Sequence, residues 1–188
     1  MTLTLLLLRH GKSDWTADYT SDADRPLKRR GREASKLVGR FLSAADRQPE
    51  LALTSPARRA RETLQLACRA GGWSCPTLVS DDLYEQGPPD TIQLLRTIVP
   101  SGTKSVLAVG HEPTWSEVVA ILTGANIRFP TAAMAYIELD LHRWDTLGAG
   151  TGRLSWLVPP RLLRAASRTK KPVRIERSGE LDGSPGRT

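Results

Sequence analysis

A chain of 188 residues, 39% of them hydrophobic, can bury a full single-domain core, and its short N-terminal apolar run is far below the length of a membrane span. Two cysteines without metal or redox spacing argue against a disulfide scaffold, which makes the cytoplasm the expected compartment. The net charge of +7 is uneven: residues 161–188 hold eight Lys or Arg against three acidic residues, so the body before them is nearly balanced and nucleic acid is not an expected partner.

The first predicted element covers residues 2–8, where a run of leucines reads as a strand buried on both faces. It ends abruptly in Arg9-His10-Gly11, two basic side chains directly after the apolar run. Residues 31–45 repeat Ala34, Leu37, Val38, Phe41 and Leu42 at helical spacing. A short strand follows at 50–54. Ser55-Pro56 then opens a helix running to about residue 70, with proline at the first helical position and Gly71-Gly72 beyond its end. Residues 77–80 form a weak strand, residues 86–89 a Pro/Gly loop and residues 90–98 a helix. A buried strand at 105–109 leads into a helix at 113–122, stopped at Gly124.

The last third changes style. Segments 132–140 and 153–158 carry Tyr, Ile, Trp and Val at strand spacing, joined through a Gly-rich turn at 148–152 with no helix between them. They predict an antiparallel hairpin at or near a sheet edge. Strand–helix alternation before the hairpin predicts an α/β three-layer sandwich, with a mixed, mostly parallel central sheet and helices on both faces. Pro159-Pro160 marks a boundary between a catalytic domain, residues 1–160, and a basic extension, residues 161–188. That extension begins with a short helical stretch at 161–168 and continues into a polar Gly/Pro-rich end of mobile composition. Its plainest reading is a solvated tail; a binding module for an acidic partner or nucleic acid is the alternative.

Ligands of open α/β sheets sit outside the carboxyl ends of the strands. Three predicted strand ends carry related chemistry: Arg9-His10-Gly11, then Thr54-Ser55-Pro56 with the arginines that follow, then Gly110-His111-Glu112. Parallel strands would project these groups to one edge. Two imidazoles, several guanidiniums and two helix N-termini around one volume suit a phosphoryl group, because guanidinium binds phosphate bidentately and helix N-termini favour negative charge. Histidine there can attack phosphorus or donate to a phosphoryl oxygen. No acidic cluster suited to magnesium accompanies these residues. A zinc site from His10, His111 and His142 would lack the usual spacing.

These residues resemble a family. "RHGKSDW" is similar to the Arg-His-Gly motif of the histidine phosphatase superfamily, which includes the cofactor-dependent phosphoglycerate mutases. "SPARRARET" resembles its Ser-Pro motif, and "VGHEPTW" its Gly-His motif. The cues "RPLKRRG", "LTG" and "FPTAAMAYIELD" look like the small SixA-type phosphohistidine phosphatases, and the likeness spans residues 3–158. It implies a phosphoglycerate mutase-like fold and a phosphatase with no cofactor and no metal. In it His10 becomes transiently phosphorylated, while Arg9, Arg59 and His111 hold the transferring group. Glu85 in "DDLYEQG" stands where larger relatives carry a proton donor, with water as the alternative.

The implied substrate is a phosphorylated side chain of another protein, with small phosphate esters, or a mutase reaction on one, left open. Other residues carry plainer expectations. Arg58 and Arg61 belong on a solvated helix face, Thr54 or Ser55 caps the helix, and His142 is a surface residue. Trp115, Trp144 and Trp156 are packing residues, while Lys12 or Ser13 could touch the substrate.

Overall fold

The computed structural model describes residues 2–168. Six strands form one sheet: β1 (Leu3–Arg9), β2 (Leu51–Thr54), β3 (Thr77–Val79), β4 (Ser105–Gly110), β5 (Met134–Leu139) and β6 (Gly152–Val158). Six helices accompany them: α1 (Arg29–Ala44), α2 (Arg58–Gly71), α3 (Asp82–Glu85), α4 (Pro88–Ile98), α5 (Thr114–Thr123) and α6 (Pro160–Arg168). The strand order is β3-β2-β4-β1-β5-β6, parallel from β3 to β1 and antiparallel from β1 to β6. The expected hairpin is β5–β6, and it closes one edge of the mixed sheet.

The leucine run has a direct physical reading. β1 lies between β4 and β5, and successive strand side chains point to opposite faces. Leu3, Leu5 and Leu7 enter one core with Leu95 of α4 and Trp115, Val118 and Leu122 of α5. Leu6 and Leu8 enter the other with Val38 and Leu42 of α1, Leu64 of α2 and Leu163 of α6. Each such leucine contributes about 1.5–3 kcal/mol by leaving water, so β1 anchors both layers. No helix among the described residues is long and apolar enough to cross a membrane.

Local boundaries differ from expectation in three places. The second helix begins at Arg58 rather than at Pro56: residues 55–57 form a turn, and no side chain caps the helix end. The Ser55 hydroxyl instead accepts from the Ala57 N–H at 3.2 Å, so neither Thr54 nor Ser55 is the helix cap. The Pro/Gly loop is shorter than its composition suggests, since Pro88 and Pro89 open α4. A single helical turn, α3, precedes it where no helix was expected. Beyond Pro160, α6 packs Leu163 into the second core, and the polar end of the expected extension lies outside the described residues.

Helices α1 and α2 approach so closely that a Cβ placed on Gly39 would stand 1.9 Å from the Ala67 carbonyl oxygen. In an open helix, alanine at this position would gain about 1 kcal/mol over glycine. Here the backbone of α2 blocks it. Gly39→Ala is therefore expected to destabilise the protein by about 1–3 kcal/mol, measured as a lower urea midpoint with unchanged slope.

Candidate active site

The cavity outside the carboxyl ends of β1, β2 and β4 has a volume of about 320 Å³ and is lined by Arg9, His10, Arg25, Arg59, Tyr84 and His111, with Lys12, Ser13, Trp15, Glu112 and Thr131 at its margins. Larger hollows exist elsewhere on the surface, but none of them brings two histidines together. Here the two imidazole rings lie with centroids 5.0 Å apart.

His10 is held by the backbone on both sides. Its N–H donates to the Gly110 carbonyl of the parallel neighbour at 3.0 Å, and the Gly11 N–H donates to Thr63 Oγ1 at 3.0 Å. Thr63 in turn donates to the Arg59 carbonyl at 2.6 Å, so the end of β1 is tied to α2. Gly11 and Gly31 are required by a second close approach, of residues 11 and 12 to the start of α1. A Cβ on Gly11 would stand 2.8 Å from the Gly31 oxygen, and one on Gly31 would stand 2.3 Å from the Lys12 oxygen. The second and third segments meet where His111 Nε2 lies 2.9 Å from Ser55 Oγ.

The tautomer of His10 follows from its partner. Nδ1 lies 2.7 Å from the Gly11 carbonyl oxygen, and a carbonyl can only accept. Nδ1 therefore carries the proton, which leaves Nε2 with its lone pair. Protonation of this ring is disfavoured: burial first, with the Arg59, Arg9 and Arg25 charges adding to it, pushes His10 down to about 4 from the ordinary 6.5. Burial, then His10 and Arg59, brings His111 down to about 3. Both rings are neutral at pH 7.

Around these rings the guanidiniums are partly satisfied by protein. Arg9 donates to the Phe129 carbonyl at 2.6 Å; its burial lowers its affinity for the proton, and Glu112 opposes that effect. Arg59 donates to the Asp22 carbonyl at 2.6 Å and to its carboxylate at 2.9 Å. Arg9 Nε and Arg59 Nε are buried donors without a protein acceptor. Buried donors are nearly always bonded, and two orphans in one cation-lined cavity fit an anionic ligand such as a phosphoryl group.

Arg25, Asp22 and Tyr84 belong to the same cluster although the sequence reading gave them no role. The Asp22 carboxylate accepts from Arg25 at 2.8 Å and from the Tyr84 hydroxyl at 2.9 Å. Burial works against its charge, but these bonds and Arg59 outweigh it and hold Asp22 below the ordinary carboxylate range. Arg25 is buried, hydrogen-bonds Ser13 and lies 3.6 Å beneath the ring of Trp15. Its only sequence signal was its place in "RPLKRRG".

Of the five candidate residues, Arg9, His10, Arg59 and His111 converge on the cavity. Glu85 does not: α3 presents Tyr84 to the cavity and leaves Glu85 exposed outside its lining. Arg58, Arg61 and His142 are exposed, as their spacing implied. Trp115 is buried and donates to the Leu8 carbonyl at 2.9 Å, a packing role.

The fold and this convergence define a phosphoryl-handling α/β enzyme, and comparison with known proteins gives the class. The chain belongs to the histidine phosphatase superfamily: residues 5–90 match the model of the "Histidine phosphatase superfamily (branch 1)", and the enzyme is a phosphatase. It is 28% identical over 167 residues to the phosphohistidine phosphatase SixA of Escherichia coli, covering 87% of this chain and 98% of that protein. An uncharacterised protein of Mycobacterium leprae is 32% identical over 167 residues, covering 82% of this chain and all of that one. A solved structure of the protein histidine phosphatase SixA complexed with tungstate superposes with a TM-score of 0.72 at 28% identity, over 86% of this chain and 99% of that one.

The depressed imidazoles give a pH prediction. In the unfolded chain both histidines take up protons near pH 6.5, whereas in the fold they do so near 4 and 3. The unfolded state thus binds more protons across that window, so stability rises with pH through it and is lost on acidification. In NMR titrations the C2 protons of His10 and His111 should move only below about pH 5. Midpoints near 6.5 would contradict the burial argument.

Proposed function

We propose that this phosphatase removes phosphate from phosphohistidine in a protein, through a phosphorylated His10 and without a metal ion. One observation carries the reading: a neutral His10 whose Nδ1–H is committed to the Gly11 carbonyl, with its Nε2 lone pair free amid arginines. A free lone pair is what attack on phosphorus requires. The resemblance to SixA phosphohistidine phosphatases supports the substrate class.

The chemistry proceeds in two displacements. His10 Nε2 forms a bond to phosphorus as the bond from phosphorus to the substrate nitrogen breaks, and that nitrogen takes a proton. Water then attacks the phosphorylated His10, its proton leaves to solvent, and the N–P electron pair returns to Nε2 as inorganic phosphate departs. Arg9, Arg25, Arg59 and His111 surround the transferring group. Guanidinium charge and N–H donors compensate its three equatorial oxygens, the task a metal ion performs elsewhere. Asp22 must yield part of its hold on Arg59 when phosphate enters.

An imidazole departs more readily than an alkoxide, so the first displacement needs little acid. Glu85 is exposed outside the cavity, and the leaving nitrogen takes its proton from solvent in this reading. The cavity's modest volume also suits a phosphorylated side chain presented by a protein surface.

Three outcomes test the proposal. Wild-type protein incubated with a labelled phosphohistidine protein should retain acid-labile, alkali-stable label, and His10→Ala should retain none and lose on the order of 10⁴-fold in turnover. Turnover by wild type with no trappable label would instead favour direct attack by water. Saturating EDTA should leave the rate unchanged; restoration by a divalent ion after chelation would end the metal-free reading. Glu85→Ala should change phosphohistidine hydrolysis by less than about threefold, and a loss of about 100-fold would reinstate it as the proton donor.

A further inference from the structure

The catalytic cavity does not end at its own arginines. A second hollow of about 240 Å³ adjoins it, and Lys12 and Thr131 line both. Four cations, Lys12, Arg30, Arg161 and Arg164, line this second hollow, and no carboxylate does. Arg30 and Arg164 continue into a third hollow that adds Arg29, Arg40 and one carboxylate, Glu33, which is paired with Lys36. The three form one path from His10 along α1, with α6 as its other wall.

The cations of the path differ from their neighbours. Lys28, Arg32 and Lys36 lie on or beside the same helix and are paired with Asp14, Glu62 and Glu33 respectively. Lys12, Arg30, Arg161 and Arg164 form no ion pair among the described residues, and the amino end of α6 adds its own positive potential at Pro160. Holding several cations together without such pairs is unfavourable, and an anionic partner relieves that repulsion.

The size of the path decides what kind of partner. Arg29, Glu33, Leu37 and Arg40 repeat at helical spacing along α1, and the eleven residue steps from the first to the last span about 16 Å. That length, added to the catalytic cavity, exceeds a small phosphate ester. The second and third hollows have no aromatic side chain in their linings, whereas sequence-tolerant binding of single-stranded nucleic acid relies on stacking platforms. Leu37 gives the path an apolar patch, which suits a peptide backbone and its side chains.

We propose that this cationic path is a docking groove for an acidic segment of the protein substrate, flanking the phosphorylated residue that enters the catalytic cavity. The proposal rests on the protein-phosphohistidine reading above. Specificity then comes from the surroundings of the phosphohistidine as well as from the phosphoryl group. It also gives α6, which lies beyond the three motifs, a part in substrate choice.

The test has a binding arm and a turnover arm, both on the full chain. In the first, fluorescence anisotropy follows a labelled, unphosphorylated oligoglutamate peptide at low salt. Wild type and His10→Ala should bind it alike, and the double variant Arg30→Gln/Arg164→Gln should bind at least tenfold more weakly. Equal binding by the double variant would overturn the groove, as would a single-stranded DNA of equal charge binding more tightly through the same arginines. In the second, two phosphohistidine peptides are compared, one flanked by glutamates and one by glutamines. Wild type should prefer the acidic peptide about tenfold in kcat/KM, with the preference shrinking as salt rises. The double variant should lose the preference while retaining its rate on the glutamine peptide and on p-nitrophenyl phosphate. Equal rates for both peptides in wild type, or an equal loss on both in the variant, would overturn the proposal. Hydrolysis of p-nitrophenyl phosphate with neither peptide turned over would instead remove the phosphohistidine reading, and the anisotropy arm would still decide whether the groove holds acidic peptide.

Discussion

Crowded positive charge is the constraint around which this structure is organised. Arg9, Arg25 and Arg59 share one small cavity with two histidines, and like charges at such separations repel strongly once water is displaced. The chain meets this in two ways. Burial keeps both imidazoles neutral, and carboxylates are brought in from outside the strands. Asp22 bridges Arg25 and Arg59, while Glu112 offsets Arg9. The same compromise leaves His10 neutral with a lone pair at Nε2, the state that the proposed attack on phosphorus requires.

Rigid placement of that ring comes from the sheet. β1 is buried on both faces, and its register with β4 and β5 leaves no freedom at its carboxyl end. Backbone bonds run from His10 to Gly110 and from Arg9 to Ala133, so three segments converge within one residue of His10. Ala132 adopts a left-handed backbone, φ 59°, and its N–H reaches the carbonyls of both Arg9 and His10. Such a conformation costs about 1–2 kcal/mol in a residue with a Cβ. The cost falls beside His10, at the cavity where backbone strain characteristically collects.

The segment between β1 and α1 supplies the part of the site that is not on a strand end. Its 3-10 turn at Asp22–Asp24 places Asp22 against Arg59, and Arg25 then reaches back to Ser13 and Trp15. This strap closes one side of the cavity with charge. The opposite side opens along α1 towards α6, where Lys12, Arg30, Arg161 and Arg164 form no ion pair among the described residues. The cavity and the proposed groove therefore use the same kind of side chain in two conditions, compensated by Asp22 and Glu112 in the first and largely without ion pairs among the described residues in the second.

The sequence by itself determined the layered fold and singled out four residues that the structure brings to one cavity. Both follow from short-range rules: alternating burial along β1, helical spacing along α1 and α2, and the appearance of Arg9, His10, Arg59 and His111 at or just after strand ends. Tertiary structure alone decided the rest. Asp22, Arg25 and Tyr84 come from a strap and a single helical turn with no hydrophobic period to betray them, and they join the site through contacts with one another and with Arg59, Ser13 and His111. Glu85 is adjacent to Tyr84 in sequence, yet in one turn of helix neighbouring side chains point about 100° apart, which leaves Tyr84 at the cavity and Glu85 in solvent. The pairing state of each arginine was equally hidden, because a charge run has the same composition whether its partners lie beside it or nowhere near.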